Sequence, residues 1–197
     1  MPRRPTASRT RTDWIDAALD ALASGGIGAV RVEAIARSIG VTKGSFYWHF
    51  ADRPALVVAM RETWRDRVLD ELRAVEPTGP VRAQVERLLG AIAGSGWRDH
   101  ELGLRHHGRF DEATRAEVAR VDTDRMARLA SLFGFLGFDE ADARSRCRVA
   151  LAALAGMPPD GDVGALVDDL VQTLAEVPKP SKDTAAAKKK KDQLSLF

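Results

Sequence analysis

The residues best suited to chemistry lie in one short run, Thr42-Lys43-Gly44-Ser45-Phe46-Tyr47-Trp48-His49-Phe50. Thr42 offers a side-chain oxygen to cap a helix that starts at Lys43. A cation, a glycine and a hydroxyl in a helix's first turn let a charge and bare backbone N–H groups approach an anion. That is binding chemistry, with no bond made or broken. Elsewhere, His100, His106 and His107 lack the i, i+4 spacing that brings two imidazoles onto one metal. Cys147 stands between Arg146 and Arg148; it is either a thiol with a lowered pKa acting as a redox sensor, or a small buried apolar residue. The GGIG stretch at 25–28 lacks the preceding strand and following Lys-Ser/Thr of a phosphate loop, and reads as a turn. Trp97, Phe110, Phe133, Phe135 and Phe138 either line a cavity for an apolar effector or form plain core. No nucleophile with its base and no carboxylate pair of defined spacing is visible. The expectation is no enzyme, no cofactor and no metal.

Two short helices must position the first run. Val32, Ile35, Ala36 and Ile39 recur at three- and four-residue steps and make one apolar face. Gly40 ends that helix, because only glycine adopts the left-handed turn conformation without penalty. On the second helix Phe46 and Phe50, one turn apart, anchor the buried side and leave Tyr47 and His49 outward. Tyr47, Trp48, His49 and Phe50 cannot all face one side of a helix, so at least one or two are exposed. This is the pattern of a helix-turn-helix.

The run IARSIGVTKGSFYWHFADRPAL resembles the N-terminal DNA-binding domain of the TetR family of transcriptional regulators. The portion GV-T-x-G-S-F-Y-x-H-F is similar to the family's recognition helix almost letter for letter, and the likeness extends over residues 10–75. Arg31 departs from the family, which often has Ser or Thr capping the second helix. The resemblance implies an all-α protein, with a three-helix helix-turn-helix domain followed by a helical regulatory and dimerisation domain. It implies double-stranded DNA as partner, with Thr42, Lys43, Gly44, Ser45, Tyr47 and His49 at the DNA and Arg53 on a phosphate. It further implies a homodimeric repressor whose last two helices pack against a second copy, and a small-molecule effector of unknown identity.

Charge is divided along the chain. Residues 1–53 hold eight Lys and Arg against five Asp and Glu; residues 54–177 hold 16 against 21; residues 178–197 hold six against two. A basic head, an acidic middle and a basic tail predict polyanion contact at the ends only. Arg3, Arg4, Arg9 and Arg11 sit in an arm, residues 1–11, that either enters a DNA minor groove or is simply solvated. The helix-turn-helix domain spans 12–53 and the body 54–177. Periodicity predicts helices over about 13–24, 54–75, 80–95, 99–109, 112–135, 140–155 and 163–177. Asp52 is expected to cap the second of these, and Leu56, Met60, Trp64, Val68 and Leu72 to form its stripe. The faces of 149–155 and of Leu166, Val167, Leu170, Val171 and Leu174 are candidates for dimerisation. The longest apolar run, about 149–157, falls short of the ~20 residues of a membrane span. One cysteine and no visible signal peptide predict a cytoplasmic, nucleoid-associated protein.

From Pro178 the composition becomes proline-, lysine- and alanine-rich, so 178–192 reads as a disordered linker. It ends in Gln193-Leu194-Ser195-Leu196-Phe197. That pentapeptide is similar to the motif by which bacterial polymerases and repair proteins dock on the replication sliding clamp. Two functions therefore stand side by side: a ligand-responsive repressor, and a replication- or repair-associated adaptor tethered to the clamp with little operator specificity. A tail folding back on its own body is the plain alternative to clamp docking.

Overall fold

The computed structural model describes residues 9–158 and 161–176, and these are all helix and connection, with no strand among them. The first helix, α1 (Arg11–Gly25), starts two residues before its expected position because Thr10 and Asp13 form a reciprocal capping box. A 3-10 turn (Ile27–Ala29) replaces the simple turn expected of GGIG. It leads into α2 (Val32–Ser38), α3 (Lys43–Phe46) and the long α4 (Arg53–Ala74). Asp52 caps α4 as expected, accepting from the Ala55 N–H at 2.8 Å, and Pro54 sits in its first turn.

The body adds α5 (Val81–Ala93), α6 (Arg98–His107), α7 (Glu112–Phe135), α8 (Glu140–Gly156) and α9 (Val163–Leu174). These agree with the predicted helices to within three residues at either end.

Two apolar cores result. The first joins α1, α2 and α3 to the upper part of α4 and to Leu104, Val118 and Val121 from the body. The second packs α5, α8 and α9 against Leu72 and the far half of α7, through Leu129 and Phe133. So α4 and α7 run through both cores, and head and body share side chains rather than meeting at a loose linker.

Between the two cores α7 buries Arg125, whose side chain is 4% exposed. A lone buried cation would be costly, and Glu101 meets it with two hydrogen bonds at 2.9 Å. Glu101 also accepts from Arg105, which in turn holds Asp122. Several helix ends are closed by arginine in another way. Arg128 donates to the Leu72 and Val75 carbonyls at the end of α4. Arg146 donates to Leu174 O at 2.8 Å at the end of α9, and Arg98 donates to Met157 O just beyond α8. These are the carbonyls a helix C-terminus leaves without a partner.

Two expectations for the body are corrected. Val167, Leu170, Val171 and Leu174 are buried in the chain's own second core, against α5 among others, and offer no face to another molecule. What α8 and α9 expose is the opposite side, with Val149, Ala152, Ala155 and Ala165. Cys147 is fully buried, and burial pushes its thiol up to about 11. A raised thiol pKa is the reverse of what a redox sensor needs.

Of the five body aromatics, Phe133 and Phe138 are core, whereas Phe110 and Phe135 are exposed. No helix among the described residues is long and apolar enough to cross a membrane. The arm residues 1–8, the linker and Gln193–Phe197 lie outside the described residues, and so do the readings made of them.

Candidate nucleic-acid interface

The turn between α2 and α3 is built as the sequence demands. Gly40 has φ +73°, and Val41 N–H reaches back to Ala36 O at 2.9 Å while Gly40 N–H reaches Arg37 O at 3.3 Å. These two bonds satisfy the last carbonyls of α2 and set the angle at which α3 leaves. Arg31, at the start of α2, makes no side-chain cap, as its identity led one to expect.

Thr42 corrects a detail, because its side chain caps nothing. Its carbonyl accepts from both the backbone N–H and the hydroxyl of Ser45, each at 3.1 Å. The Thr42 hydroxyl therefore remains beside Gly44, where an added Cβ would meet only that oxygen, at 3.7 Å. Packing does not require glycine at 44. Its absent side chain instead leaves the backbone open to solvent.

Phe46 is fully buried, stacked on Phe50 at 5.4 Å and edge-on to Trp14 at 5.3 Å. These contacts turn Thr42, Lys43, Gly44 and Tyr47 outward. Trp48, which the sequence reading did not assign, is 88% exposed and the most prominent apolar group in the head. The only available signal was the crowding of four ring-bearing residues.

Lys43 pairs with Glu33 at 2.5 Å on the open surface. The hydrogen bond between them raises the lysine's pKa and lowers the glutamate's. Such an exposed pair is weak and exchangeable.

His49 and Arg53 are held by the protein itself. His49 Nε2–H donates to the Arg9 carbonyl at 3.0 Å, while Arg9 Nε donates to Ile39 O at 2.9 Å. Arg11 lies over the Phe50 ring at 5.0 Å. Residues 9–11 are thus strapped across the ends of α2 and α3, and His49 does not point freely outward. Arg53 donates from Nε to Val30 O and from Nη2 to Ile27 O, both at 2.7 Å, bracing the entry to α2. Arg53→Lys keeps the charge but loses the planar fork, and is expected to lower stability by about 1–3 kcal/mol in urea denaturation. Unchanged stability would show that these two bonds contribute nothing.

The head is coupled to the body through α6. Gly103 lies so close to α1 that a Cβ there would sit 2.9 Å from Leu22 Cγ. His100 meets Asp20 at 3.0 Å, and its ring stacks obliquely on Trp97 at 5.5 Å. Arg67 lies over Trp97 at 4.5 Å and pairs with Asp16 at 2.5 Å. His100 is therefore a strut between helices, while His106 packs edge-on against the exposed Phe110.

Residues 15–60 match the model of the bacterial regulatory proteins of the tetR family. Over 44 residues the chain is 46% identical to the HTH-type transcriptional regulator SrpR of Pseudomonas putida. This stretch is 22% of this chain and 21% of that protein. Identity to the uncharacterized HTH-type regulator TtgW of Pseudomonas putida is also 46% over 44 residues, or 33% of that protein. The matched stretch is thus a third or less of either relative. The fold extends further. A transcriptional regulator from Rhodococcus sp. Rha1 superposes with a TM-score of 0.70 at 16% identity, covering 86% of this chain and 100% of that one. The fatty acid degradation regulator FadR from Bacillus halodurans superposes with a TM-score of 0.66 at 19% identity, covering 89% and 97%. The head, with its helix-turn-helix, thus matches the TetR family of transcriptional regulators in sequence, and the whole chain shares its fold with solved regulators.

Proposed function

We propose that this protein is a repressor that binds a palindromic site on double-stranded DNA as a homodimer and is released by a small-molecule effector in its body. One observation carries the reading: Thr42, Lys43, Gly44 and Tyr47 are exposed side by side on a helix-turn-helix whose far side is locked by Phe46 and Phe50. Rigid support with exposed polar groups is what base and phosphate contacts need. Lys43 and Ser45 read base edges, Tyr47 reaches the backbone, Trp48 packs on sugar or a thymine methyl, and His49 reaches the backbone only if it gives up its bond to the Arg9 carbonyl. Arg53 contributes a phosphate contact only with whatever its internal bonds leave available. Dimerisation uses the outer side of α8 and α9, where Val149, Ala152, Ala155 and Ala165 are exposed.

The test is selection of binding sites from random DNA, followed by titration. Wild-type protein is expected to select a two-fold symmetric site. The Lys43→Ala/Tyr47→Ala double variant, folded by circular dichroism, is expected to lose at least about tenfold in affinity for it. Equal binding by both proteins would remove the assignment of this face.

A finer reading concerns the tail, on the sequence of residues 193–197 alone. Leu194, Leu196 and Phe197 offer three large apolar anchors and Gln193 a directional amide, a combination suited to a pocketed partner such as the bacterial sliding clamp. Ordering the free peptide offsets much of the gain, so binding of roughly micromolar strength is expected. Purified clamp is titrated with the tail peptide and with its Leu196→Ala/Phe197→Ala version. Equal affinities would reduce the pentapeptide to an unremarkable tail.

A further inference from the structure

A small cavity opens between α5, α6, α7 and α8, of about 40 Å³. That is a few times the roughly 10–15 Å³ a single water requires on the same measure. Its apolar wall is Ile92, Leu102, Leu151, Leu154 and Ala155. Its polar wall holds three cations, Arg98, Arg105 and Arg125, against two carboxylates, Glu101 and Asp122. Arg105 and Arg125 are paired with those carboxylates. Arg98 is not: half-buried, it bonds only the neutral carbonyls of Leu154 and Met157, and no carboxylate of the described residues pairs with it. The lining thus carries one positive charge in excess, beside a wall that favours hydrocarbon. Excess charge in a half-buried site costs free energy that a matching ligand recovers.

From these residues we infer that the cavity takes a short-chain monocarboxylate, and that this is the effector. The carboxylate neutralises Arg98, and the alkyl tail lies against Leu102 and Leu151. A dianion would overcompensate the single excess charge. A long acyl chain would not fit a space of this size unless the helices parted. The inference rests on the repressor reading for its consequence, because α6 carries both sides of the coupling. Arg98, Glu101, Leu102 and Arg105 face the cavity, while His100 and Gly103 meet α1 of the head. A ligand that draws Arg98 inward shifts α6, and α6 cannot shift without moving Leu22.

The experiment uses the full-length protein and four probes at constant ionic strength: butyrate, butyramide, chloride and nitrate. Binding is followed by isothermal titration calorimetry and thermal unfolding, and DNA affinity is measured separately on the selected site. Butyrate is expected to bind and to lower DNA affinity by roughly fivefold or more. Arg98→Gln is expected to weaken butyrate binding about tenfold. Leu151→Trp, which adds bulk to the apolar wall of the cavity one turn away from the Arg98 bonds, is expected to abolish it. Butyramide binding as tightly as butyrate would overturn the role of charge. Chloride or nitrate binding as tightly as butyrate would overturn the carboxylate class. No binding of butyrate, or binding undiminished in Leu151→Trp, would overturn the site, while intact DNA binding by the ligand-free protein would leave the repressor reading standing. Butyrate bound with DNA affinity unchanged would overturn its role as effector.

Discussion

Arg125→Leu is expected to destabilise the protein by about 3–5 kcal/mol, because it leaves Glu101 deep between the two cores without its principal partner. The double variant Arg125→Leu/Glu101→Leu is expected to recover much of that loss, since no charge is then left unpaired. Arg105 would retain Asp122 in both. Urea denaturation of the two single variants and the double one measures the coupling. Equal losses in Arg125→Leu and the double variant would show that packing at these positions, not charge, sets the cost.

The pair also sets a pH dependence. Burial pushes the Glu101 carboxyl up, but the hydrogen bonds and charges of Arg125 and Arg105 outweigh it and hold the carboxyl below its ordinary value. A carboxyl lowered by folding stabilises fully above its unfolded value, about 4.3. That contribution is lost as the pH falls through the lower, folded value. Acidification below about pH 4.3 should therefore weaken the wild type more than the double variant.

Phe46→Ala is expected to cost a further large amount, about 3–5 kcal/mol, and to abolish DNA binding through the fold of the head. The ring is fully buried and touches Trp14, Tyr47 and Phe50. Trp48→Ala, two residues away, is expected to do the opposite: stability within about 0.5 kcal/mol of wild type, with weaker DNA binding. Thermal unfolding and titration on the same selected site separate the two effects. A Trp48→Ala protein that melts early would place that ring in the core, against its exposure.

Local signals in the sequence carried most of the helices. The start of α4 follows from Asp52 as a cap, the α7 helix from a long periodic run, and the α2–α3 turn from Gly40. The stripe Leu56, Met60, Trp64, Val68 and Leu72 is buried as its spacing required. What the sequence did not disclose depends on contacts distant along the chain. Arg53 bonds carbonyls 23 and 26 residues away, and His49 bonds one 40 residues away. Nothing near either residue announces those partners.

The α9 stripe shows a different limit. Its period establishes that Val167, Leu170, Val171 and Leu174 share a face, but not whether α5 or a second molecule covers it. Cys147 shows a third. Neighbours at i±1 on a helix do not face one another, so Arg146 turns away to lie over the Phe138 ring at 3.8 Å. Its charge never reaches the thiol.

The arginines that close helix ends have a consequence for handling the protein. Bonds from Arg98, Arg128 and Arg146 run to neutral carbonyls in half-buried places. Dissolved ions screen such contacts far less than they screen exposed charges. Attachment to a polyphosphate falls steeply as salt rises. Concentrated salt should therefore strip the protein from nucleic acid while leaving its tertiary structure whole, so a brine wash and a refolding step need never be confused at the bench.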